Sequence, residues 1–173
     1  MERRHIVLVG LPGAGKTTVG RIVAERLDAA FVDFDRAIEA QTGRRIVNVF
    51  AEQGEAGFRA IEAGVGAELL SGPPAVLSPG GGFFSDPGQR RRTLDVAYAI
   101  YLDTSPTVAA RRLVGTDDRP LLKGFDPRLR LRLLLEQREA GYLEAQGRVT
   151  TNDCAAEAVA DQVIELARAH GGW

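Results

Sequence analysis

"GLPGAGKTT", residues 10–18, interrupts the apolar run Ile6-Val7-Leu8-Val9 and leads directly into "VGRIVAERL", residues 19–27. The run before it has the length and bounding of a buried strand. The stretch after it places Val19, Ile22, Val23 and Leu27 at helical spacing. Gly10 to Thr17 fits GxxxxGK[ST] without a mismatch, in the strand-to-helix setting that its mechanism requires. In such a loop the backbone N–H groups of Gly13, Ala14, Gly15, Lys16, Thr17 and Thr18 converge on phosphate oxygens, and the helix N-terminus adds partial positive charge. Lys16 is then the group for the β- and γ-phosphates and the Thr17 hydroxyl a Mg²⁺ ligand. An ordinary glycine-rich turn has no reason to carry Lys-Thr at this spacing.

Outward from the loop, short apolar runs at 5–9, 31–34, 75–78, 98–102 and 147–151 alternate with helical patterns. That order predicts an α/β fold with a largely parallel sheet. Helices are expected over 16–27 and 155–169, over 105–114 with Ser105 as cap and Pro106 at the first position, and over 126–145 opened by Asp126-Pro127. "GTDDRPLLKGF", residues 115–125, has no periodicity and reads as a mobile surface loop. With 173 residues, 45% hydrophobic and 26% charged, the chain suits one domain, 1–173. A net charge of −1 removes the electrostatic footprint of a nucleic-acid or membrane binder. The lone Cys154 cannot pair internally, and the apolar stretch before Gly10 is too short for a secretory signal, so a cytoplasmic protein is expected.

A phosphate cradle does not name an acceptor, and four clusters bear on that. "FVDFDRAIE", residues 31–39, sets Asp33 and Asp35 two apart, on one side of an extended chain. Either they divide the labour between Mg²⁺ and a hydroxyl nucleophile, or Asp35 caps the next helix and Asp33 is solvated. "GEAGFRAIEAGVGAEL", residues 54–69, reads as a helix with Arg59 and Glu62 three apart: an ordinary surface ion pair, or a guanidinium held for an anionic substrate. "SPGGGFF", residues 78–84, follows a strand end, where open α/β sheets bind ligands. Arg119 in the aperiodic loop and Arg138 on the next helix complete the set; alone, each is as readily an exposed arginine.

Taken in order, "GLPGAGKTTVGRIVAERL", "DFD", "IVNVFAEQGEAGFRAIE", "LSPGGG", "IYLDTSPTVAARRL", "RPLL" and "QREAGY" resemble the shikimate kinases over nearly the whole chain. The resemblance implies a three-layer α/β/α fold with a central five-stranded parallel sheet, like that of the nucleoside-monophosphate kinases. It further implies a substrate-binding helical region around 34–62 and a mobile lid around 113–125. It gives Asp33 the role of a Mg²⁺ carboxylate acting through water, and Asp35 that of the carboxylate on the acceptor hydroxyls. Arg59 and Arg138 resemble the family's carboxylate clamp, Gly81 and Gly82 the glycines against the acceptor ring, Arg119 the lid arginine, and Arg112 the basic residue on adenine. Lys16, Asp35 and Arg119 are the implied catalytic residues. ATP with Mg²⁺ and shikimate are the implied ligands, the chain acting as a monomer.

Where the family often carries a second basic residue near adenine, this sequence has "TNDCAAEA", residues 151–158, with Asp153 and Cys154. Two other readings remain: a kinase of the same fold with a sugar-acid or nucleotide acceptor, and a nucleotide-binding module without catalysis. His5 and His170 have no metal-like spacing, "QRRRT" at 89–93 is expected to be a solvated helix face, and the terminal "GGW" a mobile tail.

Overall fold

The computed structural model describes residues 2–115, 124 and 126–173. The rest, including Arg119 and most of the expected lid, lies outside the described residues. Five strands, β1 (His5–Val9), β2 (Phe31–Asp33), β3 (Val76–Ser78), β4 (Ala97–Asp103) and β5 (Gly147–Thr150), form one parallel sheet in the order β2-β3-β1-β4-β5. The helices are α1 (Lys16–Arg26), α2 (Phe34–Thr42), α3 (Ile46–Leu70), α4 (Pro87–Val96), α5 (Pro106–Arg112), α6 (Pro127–Tyr142) and α7 (Ala156–His170). The five-stranded parallel α/β fold expected from the sequence is the one observed.

Why β1 is apolar at every position from Ile6 to Val9 follows from the layering. Ile6 and Leu8 pack into a core with Val19 and Val23 of α1 and Val159 and Val163 of α7. Val7 and Val9 face the opposite core with Ala109 of α5 and Leu131 and Leu134 of α6. Strand β4 divides the same way, Tyr98, Ile100 and Leu102 to one side and Ala97, Ala99 and Tyr101 to the other. A parallel sheet covered on both faces has no solvent side, so the alternation of pointing directions leaves no polar alternation in the sequence.

The local stop and start signals act as expected. Ser105 Oγ accepts from the Val108 N–H, and Asp126 Oδ1 from the Arg128 N–H at 2.8 Å, each ahead of a proline at the first helical position. Three expectations need correction. The chain at Asp33 and Asp35 is not extended: Asp33 ends β2 and caps α2, so Asp35 lies in the first turn of a helix. Arg90 of "QRRRT" is not solvated but donates to the Phe84 and Ser85 carbonyls and pairs with Glu144 at 2.9 Å. Nor is the terminus a loose tail, since the Trp173 indole N–H donates to the Arg4 carbonyl at 2.8 Å and its ring lies under the Arg3 guanidinium. An aromatic ring with both an apolar seat and a partner for its N–H is held where glycines alone would not be. Helix α3 is broken at Gly54, whose φ of 67° and ψ of −174° interrupt the helix before Glu55. No helix among the described residues is long and apolar enough to cross a membrane.

His5 begins β1 and is 3% exposed. Its Nδ1 accepts from the Ala75 N–H at 3.2 Å, which requires a neutral ring, and burial lowers its pKa below the ordinary value. Below about pH 6.5 the unfolded chain therefore takes up a proton that the native chain resists, and stability is lost as the pH falls. Urea unfolding between pH 7.5 and 5.5 is expected to show this slope in wild type, and a shallower one in His5→Asn, whose amide oxygen can take the Ala75 bond without titrating.

Candidate active site

The loops at the C-terminal ends of β1, β2 and β3 meet in one cavity of about 300 Å³, lined in part by Gly13, Gly15, Lys16, Thr17, Asp33, Asp35, Ser78, Gly80 and Arg112. This is where an open parallel sheet receives ligands, because the loops there diverge while the sheet holds their ends. Gly15 caps α1 with φ at 92°, a left-handed conformation that a side chain would strain and that turns the following N–H groups inward. Lys16 is buried, and its ammonium donates to the Gly10 and Leu11 carbonyls at 2.8 and 2.9 Å. The cation is thereby stored inside the loop. Arg112 reaches across from α5 to the Gly13 and Ala14 carbonyls and, at 2.7 Å, to that of Thr151 after β5.

Asp33 ties two elements together. One carboxylate oxygen accepts from the Thr17 hydroxyl at 2.6 Å, and the other accepts from the Asp35 and Arg36 N–H groups at the start of α2. A hydroxyl and a carboxylate in contact at the edge of a phosphate loop are hard oxygen donors of the kind Mg²⁺ uses beside water and phosphate. Among the described residues there is no group of three or more His, Cys, Asp or Glu that forms a closed metal cage.

The glycine turn after β3 explains itself once its neighbours are named. A Cβ on Gly80 would lie 2.4 Å from Glu62 Oε1, one on Gly81 3.1 Å from Arg138 Nη1, and one on Gly82 2.3 Å from Arg59 Nη2. Three consecutive side-chain positions are thus taken up by an acid and two arginines from other helices. Arg59 Nη1 donates to Glu62 Oε2 at 2.6 Å, and Glu62 is 1% exposed. The surface reading of that pair therefore fails. Burial pushes the Glu62 carboxyl above its usual range, with the Arg59 charge opposing. Its second oxygen, Oε1, is buried without a hydrogen-bond partner. The signal was present in the sequence, since Phe58, Glu62 and Val65 fall on one helical stripe and all are buried. Arg138 is 8% exposed and forms no salt bridge among the described residues. Sequence reasoning gave no role to Pro12, which borders Gly81, or to the Tyr142 hydroxyl, which donates to the Gly81 carbonyl.

A family model described as Shikimate kinase matches residues 12–168. A shikimate kinase from Paramagnetospirillum magneticum is 46% identical over 94% of this chain and 83% of its own length. The chain belongs to the shikimate kinase family. A shikimate kinase from Symbiobacterium thermophilum is 40% identical over 96% of this chain and 98% of its own. Among solved structures, a shikimate kinase from Acinetobacter baumannii in complex with shikimate superposes with a TM-score of 0.93 at 38% identity, covering 96% of this chain and 94% of that one. A gluconokinase from Sinorhizobium meliloti, at 21% identity and a TM-score of 0.66, shares the fold. As a member of the shikimate kinase family the chain is an ATP-dependent phosphotransferase, and the reading as a binding module without catalysis falls away.

Gly82 offers a clean perturbation, because its φ of −92° suits any residue and what a Cβ meets is the end of the Arg59 side chain. Gly82→Ala is expected to fold but to lose several degrees of thermal midpoint, because moving the guanidinium weakens its compensation of the buried Glu62 carboxylate. It displaces the Arg59 guanidinium, raising the KM for an anionic acceptor while leaving that for ATP alone, as steady-state kinetics with each substrate varied will read.

Proposed function

We propose that this chain transfers the γ-phosphate of ATP to the 3-hydroxyl of shikimate, giving shikimate 3-phosphate and ADP. The observation that carries the reading is the buried Arg138 guanidinium, without a salt bridge among the described residues, beside the Arg59–Glu62 pair. Two arginines converging on consecutive glycines form a fork for a carboxylate, and a buried cation of this kind gains most from binding one. The acceptor's carboxylate goes to Arg59 and Arg138, and its ring lies against Gly81 and Gly82.

Asp35, in the cavity wall with Lys16 and Gly80, is assigned to the acceptor hydroxyls. It holds the 3-oxygen in line with the γ-phosphorus and takes its proton as the new O–P bond forms and the bond to the departing ADP oxygen breaks. Lys16 leaves the Gly10 and Leu11 carbonyls for the β- and γ-phosphate oxygens, an exchange of neutral acceptors for charged ones. Thr17 would hold Mg²⁺ directly and Asp33 through water, and the ion held there would supply charge shielding for the phosphates. Arg112 is assigned to the nucleotide base. Arg119 is assigned to the transferring phosphate, and the 113–125 segment to a lid, by family resemblance. The region 34–62 is assigned to the acceptor.

Turnover of MgATP against shikimate, quinate, gluconate and AMP, read by coupled ADP release, tests the acceptor. The outcome expected is turnover with shikimate far above the other three; preference for gluconate or AMP would replace the reading. Arg138→Lys should raise the KM for shikimate at least about tenfold, because a point charge cannot reproduce a planar fork. ADP affinity by calorimetry should stay within about twofold, as the arginine is assigned to the acceptor alone. Asp33→Asn should move the activity profile to higher Mg²⁺ concentrations; superimposable Mg²⁺ titrations for variant and wild type would remove Asp33 from the metal site.

A further inference from the structure

Tyr142 lies one helical turn beyond Arg138 on α6, so both project from the same face. The residue is fully buried, its ring against that of Tyr101 with centroids 5.2 Å apart. Packing alone would be served by phenylalanine. The hydroxyl instead donates to the carbonyl of Gly81, the middle glycine of the turn. Burial raises the phenol's pKa against the opposing charge of Arg138, so the proton stays in place to be donated at neutral pH.

Gly81 is the point where three parts of the site touch. A Cβ there would lie 3.0 Å from Pro12 Cδ and 3.3 Å from the Gly10 carbonyl oxygen, both in the phosphate loop, and 3.1 Å from Arg138 Nη1. Without a side chain, Gly81 cannot be fixed by packing of its own. Its placement depends on its backbone groups, and its carbonyl is held by Tyr142. The hydroxyl and the guanidinium come from one rigid helix and meet the same residue of the turn.

We propose that Tyr142 is a positioning residue for the acceptor: its hydroxyl, bonded to the Gly81 carbonyl, fixes the distance between the glycine turn and the Arg138 guanidinium, and thereby the seat of the acceptor's carboxylate. This rests on the assignment of Arg138 to that carboxylate. Loss of the hydroxyl leaves the part-buried Gly81 carbonyl without this partner, so the turn moves relative to α6. The effect is greatest at the carboxylate end of the acceptor, where the turn meets Arg138, and smaller at the ring and at the phosphate loop that Gly81 also borders.

The test compares Tyr142→Phe with wild type on two acceptors, shikimate and its methyl ester, which keeps the ring hydroxyls and lacks the negative charge. The KM for shikimate should rise about tenfold in the variant, the size expected for one lost buried hydrogen bond, with kcat changed less than threefold. For the methyl ester the rise in KM should be less than about threefold, since only the ring contact with Gly81 is disturbed and no charge is lost from Arg138. MgADP affinity, which depends on residues Tyr142 does not touch, verifies that the variant is folded. An unchanged KM for shikimate in Tyr142→Phe, or an equal rise for both acceptors, overturns the positioning role. Failure of wild type to phosphorylate shikimate at all would overturn the functional reading itself, a result distinguishable because it appears before any variant is made.

Discussion

A carboxylate 1% exposed to solvent must be compensated, and much of the contact between α3 and the glycine turn is arranged around Glu62. One oxygen is satisfied by Arg59 at 2.6 Å; the other is pressed against Gly80 without a partner. A charge so desolvated is costly on its own, and the arginine repays the cost only in this geometry. Removing the acid would free Arg59 to follow any anion on the surface. Removing space at Gly80 would expel the acid. The pair and the glycine turn therefore specify each other, across an α3 residue and a β3 loop that are distant in sequence.

The same economy governs the nucleotide side. Lys16 occupies the Gly10 and Leu11 carbonyls and Asp33 holds the Thr17 hydroxyl, so the loop's reactive groups are engaged with one another and with neighbouring backbone before any ligand arrives. Binding then exchanges hydrogen bonds in place of organising free side chains, which keeps the entropic cost low. Asp33 gains a second duty from the chain's direction change: as the cap of α2 it orients the helix that carries Asp35. The carboxylates of Asp33 and Asp35 are in this way coupled through a single turn.

Legibility in the sequence followed how local the physics was. The phosphate loop, the buried β1 run and the two Ser/Asp-Pro helix starts are short-range patterns, and the structure has them within a residue or two of where the sequence puts them. The register of Asp33 was misread because strand end and helix cap coincide in one residue, and an extended chain was the simpler reading of "DFD". Helices α2 and the first part of α3 were legible only through the family resemblance, as a helical region around 34–62, because each is about two turns long and Gly43 and Gly54 break the periodicity. Arg90 and Trp173 read as surface by residue type or position and Glu62 as either surface or site, because Glu144, Arg4 and Gly80, which meet them, lie far away in sequence. The motif order that marks the family carried Arg59, Arg138 and the glycines as a set; only coordinates reveal that the glycines make room for the arginines.

The clasp at Trp173 has a consequence for how the fold can be rewired. With the indole bonded to Arg4, the Arg4 N–H bonded to the Gly171 carbonyl at 3.0 Å, and Gly172 against Glu2, residues 2 and 172 lie side by side. They do so just before β1 and just after α7, whereas the loops that line the cavity leave the opposite ends of the strands. A short glycine-serine bridge would span the two ends without crossing the ligand cavity. The chain is therefore suited to circular permutation, with new termini opened in a surface turn such as the one at Ser71–Pro73, leaving the sheet order and every pairing in the site intact.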